Sequence, residues 1–398
     1  MTLTRAISAI ARRIRALVRR AAALPAAMVL MLTGRRILQL TRTDRIGHLV
    51  GEIDCVLKED RLKPRRAGRA ILLAPRDRVA NRHVLKDWSK YLTVIDSPML
   101  CRMLEPVVEL GFARYRDDMS QYFTAIEETA KYNEIFSAWG ERAPLLELAA
   151  EDVERGEAAL RQMGLAEDTR FVCFHSRDAG YSPEDEHWHS YRNASIESYL
   201  PAMTALHEHG LYGMRMGDPT MLAMPATEGQ IDYARSPLRS DWLDVFLCAR
   251  CEFFLGSSSG LYLISTAFGR PSALANLAPM SSALGGGPRE LGIPKLLWHE
   301  TEGRLLSFPE IFSSPVANYR FADQYAAAGI RAPENDPQDI KALALEMLDR
   351  TRGVAEYDAD DKVRQAKFRA LFRPGHYGYG SAASVGRDFL RRYSHLLD

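Results

Sequence analysis

Four stretches of this sequence set polar side chains just beyond a short apolar run, where a strand would hand them to a loop. The most specific is 252–271. Phe253, Phe254 and Leu255 run into Gly256, Ser257, Ser258, Ser259 and Gly260, and a helical pattern follows over 261–268. Small residues permit a sharp turn, and a helix start offers unpaired N–H groups at the positive end of its dipole. Such a turn suits a phosphate. It is not a Walker loop, because no Lys follows, and it lacks Gly-x-Gly-x-x-Gly spacing. A capped Ser-rich turn without a ligand is the plain alternative.

The second stretch is Phe174, His175, Ser176, Arg177 and Asp178, at the end of the apolar run 171–175. In a strand His175 and Arg177 point to the same side. Two cationic or donor groups aimed one way match the negative charge that develops on a departing diphosphate. A buried His beside an Arg–Asp ion pair is the alternative. A long polar segment, 181–193, follows and reads as a loop that covers substrate. Its His187 and His189 alternate as metal ligands can in a strand, but a site would need further ligands, and no metal is expected.

The third is Arg215, Met216, Gly217 and Asp218, where Asp218 either holds a sugar hydroxyl or closes its own turn. The fourth is Arg45, Ile46, Gly47, His48 and Leu49, with Glu52 one turn on. A histidine in the first strand–helix loop is a candidate general base near neutral pH, with Glu52 as the other candidate. A helix-start His with a structural hydrogen bond is the alternative. Ser240 and Asp241 read first as a helix cap. Cys248 and Cys251 form a lone Cys-x-x-Cys, read as one turn at a helix end, since zinc would need a second pair. Five cysteines at irregular spacing argue against a disulfide framework.

These residues need elements to carry them. Short apolar runs at 36–40, 70–74, 92–95, 171–175, 211–216, 252–255 and 272–276 alternate with helical patterns at 46–58, 120–139, 145–164, 195–209, 241–250, 261–268, 337–351 and 383–397. That alternation predicts an α/β protein with two Rossmann-like domains facing a cleft, ligands lying beyond the carboxyl ends of the strands. The expected domains are an acceptor domain over 37–160 and a donor domain over 161–398, after an arm over 1–36.

The arm is read from charge. Net charge is only +1, yet nine arginines and no lysine precede the first acid, Asp44, leaving 43 basic against 51 acidic residues beyond it. Leu3, Ile7, Ile10, Ile14, Leu17 and Val18 share one helical face, and Arg5, Arg12, Arg13, Arg15, Arg19 and Arg20 the other. An uncharged run over 21–34, broken by Pro25, is too short to span a bilayer, which needs about 20 residues. The arm is expected to lie on an anionic membrane surface. The alternatives are a helix docked on the body, a secretory signal without a clear cleavage pattern, and a nucleic-acid arm. No nucleic-acid partner is expected, because the body has no basic stripe interleaved with aromatics.

The stretches 45–49, 174–178, 191–193, 215–218, 231–234 and 251–276 together resemble a family of bacterial glycosyltransferases of the GT-B type, associated with surface-polysaccharide synthesis. More distantly, His175-x-Arg177 is similar to the His-x-Arg with which fucosyltransferases of this fold hold the donor diphosphate. The run 254–260 through Gly269, Arg270 and Pro271 looks like the donor-binding segment of lipopolysaccharide heptosyltransferases. Those enzymes place a catalytic Asp after a Gly in the first strand–helix loop; here His48 follows Gly47, so a base role passes to another residue type.

The resemblance implies a metal-independent, inverting transfer from a nucleotide-sugar donor to a lipid-linked or glycan acceptor, without a cofactor. His175, Arg177, Asp178, Arg215, Asp218 and Gly256 to Gly260 are then expected on the donor. Tyr191, Arg192 and Asn193 are expected on the acceptor, and His48 or Glu52 as the base. The enzyme would sit in the cytoplasm, peripheral on the inner face of the cytoplasmic membrane. A sugar-nucleotide epimerase and a non-catalytic, membrane-tethered subunit of a polysaccharide assembly complex are the rival readings.

Overall fold

The computed structural model describes residues 3–38, 40, 42–63, 70–108, 110, 131–166, 168–180 and 183–398. The chain divides into two compact units, 1–120 and 121–398.

In the first unit a helix α1 (Leu3–Leu32) precedes strand β1 (Arg36–Leu38). A π-helical turn, His48–Glu52, runs directly into α2 (Ile53–Leu62). Then come β2 (Ala70–Leu73), α3 (Arg82–Trp88), β3 (Thr93–Ile95) and α4 (Pro98–Val108). The three strands form a parallel sheet in chain order. Most of the expected helix 120–139 lies outside the described residues.

The expected break at Pro25 does not occur, and α1 continues through it. The flanking alanines are the strongest helix formers, and the second half of the helix is held by packing. Ala23 and Ala27 are buried in one cluster with Ile37, Val107 and Val108, which ties α1 to β1 and α4. Ile10, Ile14, Leu17, Val18, Leu24, Met28 and Leu32 are exposed. At 100° per residue they span an arc of about 120°, opposite the docked alanines.

The second unit opens with α5 (Lys131–Trp139), ahead of the boundary expected at 160, and α6 (Ala150–Gln162), which runs across it. Long-range contacts place them here. Asn133 Nδ2 donates to the Tyr377 carbonyl, and Asn133 Oδ1 accepts from Gly286 N at 2.8 Å. Arg155 of α6 stacks 3.7 Å above the Trp242 ring.

There follow β4 (Phe171–His175), α7 (Pro183–His189), α8 (Leu200–Glu208), β5 (Tyr212–Arg215), β6 (Gln230–Ile231), α9 (Asp241–Arg250), β7 (Phe254–Gly256), α10 (Tyr262–Ala267), β8 (Ser272–Leu277) and β9 (Leu291–Pro294). Strands β10 (Trp298–His299), β11 (Arg304–Leu305) and β12 (Ile330–Arg331) make a small antiparallel sheet. Helices α11 (Phe308–Phe312) and α12 (Ala322–Ala327) lie between β11 and β12 in sequence. Then come α13 (Pro337–Arg352), α14 (Ala359–Ala370), β13 (Ser384–Val385) and α15 (Arg387–Arg392). The helix expected over 383–397 is shorter because Val385 pairs with β9 at the sheet edge and Gly386 starts the helix after it.

The main sheet has seven parallel strands in the order β13-β9-β8-β7-β4-β5-β6. Its central strands bury Val172, Phe174, Leu255, Ala273 and Ala275 with Met203 and Leu206 of α8 and Leu343 and Met347 of α13. A fully buried Phe or Leu here contributes roughly 1.5–3 kcal/mol. Chain order runs one way from β4 through β5 to β6 and the other way from β7 through β8 to β9. The reversal falls between β4 and β7. In doubly wound sheets that switch point is where ligands bind, beyond the carboxyl ends of the strands.

Candidate functional site

His175 ends β4 and Gly256 ends β7, and the two are directly paired across the switch point. A Cβ on Gly256 would stand 2.6 Å from the Phe254 ring and 3.3 Å from the His175 carbonyl, so the turn needs glycine for this approach. Ser257 is buried, donates its N–H to His175 O at 3.1 Å, and its hydroxyl accepts from Arg177 N at 2.9 Å. Ser258 Oγ donates to Ala278 O at 3.3 Å. Ser258, Ser259 and Gly260 are half-buried and lead into α10. Behind the turn lies a polar network: Tyr199 OH donates to Gly256 O, and Asn276 Nδ2 donates to Tyr199 OH. Asn276 and Asn335 exchange backbone-to-side-chain bonds of 2.6 and 2.7 Å.

His175 differs from expectation in charge. Its ring is buried, and Nδ1 donates to Met216 O at 3.1 Å. Burial pushes its pKa down to about 4; Arg215 and Arg177 push the same way, against the Met216 carbonyl and Asp178. It is therefore a neutral imidazole at pH 7, and the positive charge at the end of β4 belongs to Arg177. Arg177 Nη1 donates to His189 O at 3.2 Å and to Asn193 Oδ1.

The segment 181–193 is not a loop over its described part. Residues 183–189 form α7 and Ser190–Arg192 a 3-10 turn. Pro183 pre-sets the first turn, and His187 and His189 fall in the last, where the helix dipole favours them. Two positions apart on a helix, the histidines diverge: His187 meets Trp188 edge-on, and His189 stacks on Phe321 at 5.9 Å. Among the described residues no group of three or more His, Cys, Asp or Glu side chains is placed to hold a metal ion. Cys251 follows α9 directly and its Sγ donates to Cys248 O, a helix-end turn as read from the sequence.

Asn193 is a junction. Its Nδ2 donates to both Glu186 oxygens at 2.8 Å, and its carbonyl accepts from Lys295 Nζ at 2.6 Å. Burial lowers the Lys295 pKa to about 8, opposed by Glu334. Tyr191 packs against Tyr325 with ring centres 5.2 Å apart. Arg192 Nη2 donates to Ser258 O. Tyr191, Arg192 and Asn193 thus join the donor candidates His175, Arg177 and Ser257–Ser259 in one place. Asp178 braces the loops: Oδ1 accepts from Gly180 N at 2.8 Å and Oδ2 from Leu222 N at 3.1 Å.

Two candidates have other work. Arg215 is fully buried, and its Nη1 pairs with both Asp232 oxygens at 3.1 Å. It holds Asp232 through Nη1, while its Nε and Nη2 are buried without a hydrogen-bond partner. Asp218 closes its own turn, accepting from Thr220 N at 3.0 Å and Thr220 Oγ1 at 2.7 Å. Gly217, at φ +148°, passes close to Met221 Sδ, where a Cβ would sit 2.5 Å away.

In the first unit, His48 and Glu52 flank the π-helical turn, an arrangement often found at functional sites. His48 Nδ1 lies 2.5 Å from Glu52 Oε1; the ring is one-third exposed and the carboxylate buried. The carboxylate orients the ring through Nδ1.

Lys295, Asn335, Arg320 and Tyr377 escape sequence reasoning. No local pattern marks them, since each reaches the site from a distant segment.

No family model and no curated protein matches the chain. Solved structures do. E. coli ADP-heptose lipopolysaccharide heptosyltransferase II aligns at 12% identity over 62% of this chain and 86% of its own, with TM-score 0.37. The dodecameric iron-containing heptosyltransferase TibC, in complex with ADP-D-beta-D-heptose, aligns at 13% identity over 64% and 61%, with TM-score 0.38. A glycosyltransferase family 9 protein of Veillonella parvula aligns at 11% identity over 55% and 60%, with TM-score 0.25.

Proposed function

We propose that the protein is a glycosyltransferase of the GT-B type. It moves a sugar from a nucleotide-sugar donor to a lipid-linked or surface-polysaccharide acceptor, by an inverting and metal-independent reaction. The observation that carries this reading is the latch of Ser257 onto Arg177 and His175 at the switch point of the seven-stranded sheet. There the Ser-rich turn meets the donor's diphosphate, and Arg177 balances the charge that grows as the bond to the sugar breaks. Neutral His175 commits its one N–H to Met216 O and fixes the end of β4, adding no charge. His48, held by Glu52, takes the proton of the acceptor hydroxyl as that oxygen attacks the sugar.

The arginines and exposed apolar face of α1 bring the enzyme to an anionic membrane where a lipid-linked acceptor resides. No helix among the described residues is long and apolar enough to cross a membrane.

The test is a thermal-shift screen of the full-length protein against UDP, GDP, ADP, CDP and CMP-sugars, with and without divalent metal. The expected result is a metal-independent rise for one nucleoside diphosphate, followed by transfer from its sugar conjugate. Conversion of a donor without any acceptor would favour an epimerase. A well-folded protein that responds to none would be an assembly subunit.

A further inference from the structure

Several arginines of the second unit are neutralised by acids. Arg391 pairs with Asp358, Asp361 and Asp388, Arg392 with Asp336 and Asp339, and Arg304 with Glu302 and Glu310. Among the described residues Arg192 and Arg320 are not so neutralised, and each leaves a buried donor unpaired. Arg192 donates to the Ser258 carbonyl through Nη2, and its Nε is buried with no hydrogen-bond partner. Arg320 lays its guanidinium 4.7 Å from the centre of the Tyr377 ring, and its Nη2 is likewise buried and unpartnered. Among the described residues neither arginine has a carboxylate partner.

The two charges act on the same place. Tyr191 and Tyr377 are half-buried side by side with them, and the fields of Arg192 and Arg320 both oppose the rise that burial imposes on each phenol. Arg177 adds to the field at Tyr191. Concentrating like charge where desolvation is already costly is unfavourable unless an anion completes the cluster. A guanidinium is planar and presents paired donors, which suits the oxygens of a phosphate group.

We propose that Arg192 and Arg320 form a second phosphate-binding subsite next to the Ser-rich turn, completed by a phosphate group that Arg177 and the turn do not hold by themselves. The proposal rests on the glycosyltransferase reading only for what carries that phosphate. It is either the far phosphate of the donor's diphosphate or a phosphate on the acceptor.

Inorganic pyrophosphate is the probe, titrated calorimetrically into full-length wild-type protein and into Arg192→Gln, Arg320→Gln and Arg320→Lys. Arg304→Gln serves as a control for loss of a surface charge, and melting temperature checks each fold. Pyrophosphate is expected to bind the wild type and Arg304→Gln alike. Its dissociation constant should rise at least about tenfold in each Gln variant, with Arg320→Lys between, because charge persists without the fork. Equal binding by the wild type and the folded Arg192 and Arg320 variants would overturn the subsite, as would no binding to the wild type at millimolar pyrophosphate. Where Arg320→Gln does not fold, the comparison rests on Arg320→Lys and Arg192→Gln.

Repeating the titration with a saturating nucleoside diphosphate separates the sources. Competition assigns the subsite to the donor, and simultaneous binding assigns it to a phosphorylated acceptor. If pyrophosphate binds through Arg192 and Arg320 while no nucleoside diphosphate binds, the subsite stands and the glycosyltransferase reading falls.

Discussion

The Arg177 backbone N–H donates to the Ser257 hydroxyl across 2.9 Å, joining two loops that are 80 residues apart in the chain. The bond spans the ends of neighbouring strands, so either loop that moved would pull the other with it. It also explains why Ser257 is buried while Ser258 and Ser259 remain half-exposed beside it. The first serine fastens the turn, and the next two are presented at it.

Arg177 contributes its backbone to that latch and its side chain to the charge. Arg177→Ala keeps the N–H and removes the guanidinium. Turnover should fall by about 10²–10³-fold, the scale of losing one positioned transition-state donor, while the protein remains folded. Steady-state kinetics with the donor found by the nucleotide screen, beside a melting curve, checks this. Undiminished turnover would contradict the diphosphate role.

His48 and Glu52 should respond unequally. His48→Gln removes the proposed base, and kcat should drop about 10²–10⁴-fold. Glu52→Gln leaves the imidazole but loses the carboxylate that orients it, so its loss of kcat should be smaller. Donor affinity should change little in either, since the donor candidates lie in the other unit. A Glu52→Gln defect exceeding that of His48→Gln would reverse the two roles.

His175 makes stability depend on pH. Its folded pKa of about 4 lies below the ordinary histidine value of 6.5, because burial disfavours the charged ring. Between those values the unfolded chain binds a proton that the folded protein refuses. The stabilisation is therefore complete above pH 6.5 and is lost as pH falls toward 4, by about 3 kcal/mol in total. His175→Asn, which does not titrate, should show a correspondingly shallower decline in urea-unfolding free energy from pH 7 to 4. Parallel declines in the two proteins would show that His175 titrates normally.

The two faces of α1 should separate membrane binding from folding. Leu17→Asp and Met28→Asp alter exposed positions, so each should change stability by no more than about 0.5 kcal/mol. Both should weaken sedimentation with vesicles containing an anionic lipid. Ala27→Asp instead buries a charge in the cluster with Ile37 and Val107, and should lower the melting temperature. Undiminished vesicle binding by Leu17→Asp and Met28→Asp would remove the membrane role from this face.

Much of the second unit can be read along the chain. The strands around His175, Arg215 and Gly256 and the helix over 241–250 follow from apolar runs and small-residue turns, which act within a few positions. The expected Ser240 cap does not form, its hydroxyl donating to Leu238 O instead. Reading 181–193 as a loop failed because its polar composition masked helix-start and helix-end signals at Pro183 and His189. The expected break at Pro25 failed for a different reason. Ala23 and Ala27 bury a face against α4, and that packing holds the helix together through the proline.

By itself, then, the sequence determined which residue types stand at the strand ends and that the strands are parallel members of an α/β fold, because both depend on short-range pattern. Only the tertiary structure decided their state. His175 is neutral because the fold buries it, and Arg215 is spent on Asp232 for the same reason. Lys295 reaches Asn193, and Arg320 meets Tyr377, from distant segments of the chain. Desolvation and charge pairing depend on what the folded chain brings within a few ångströms, and no local stretch of sequence carries that information.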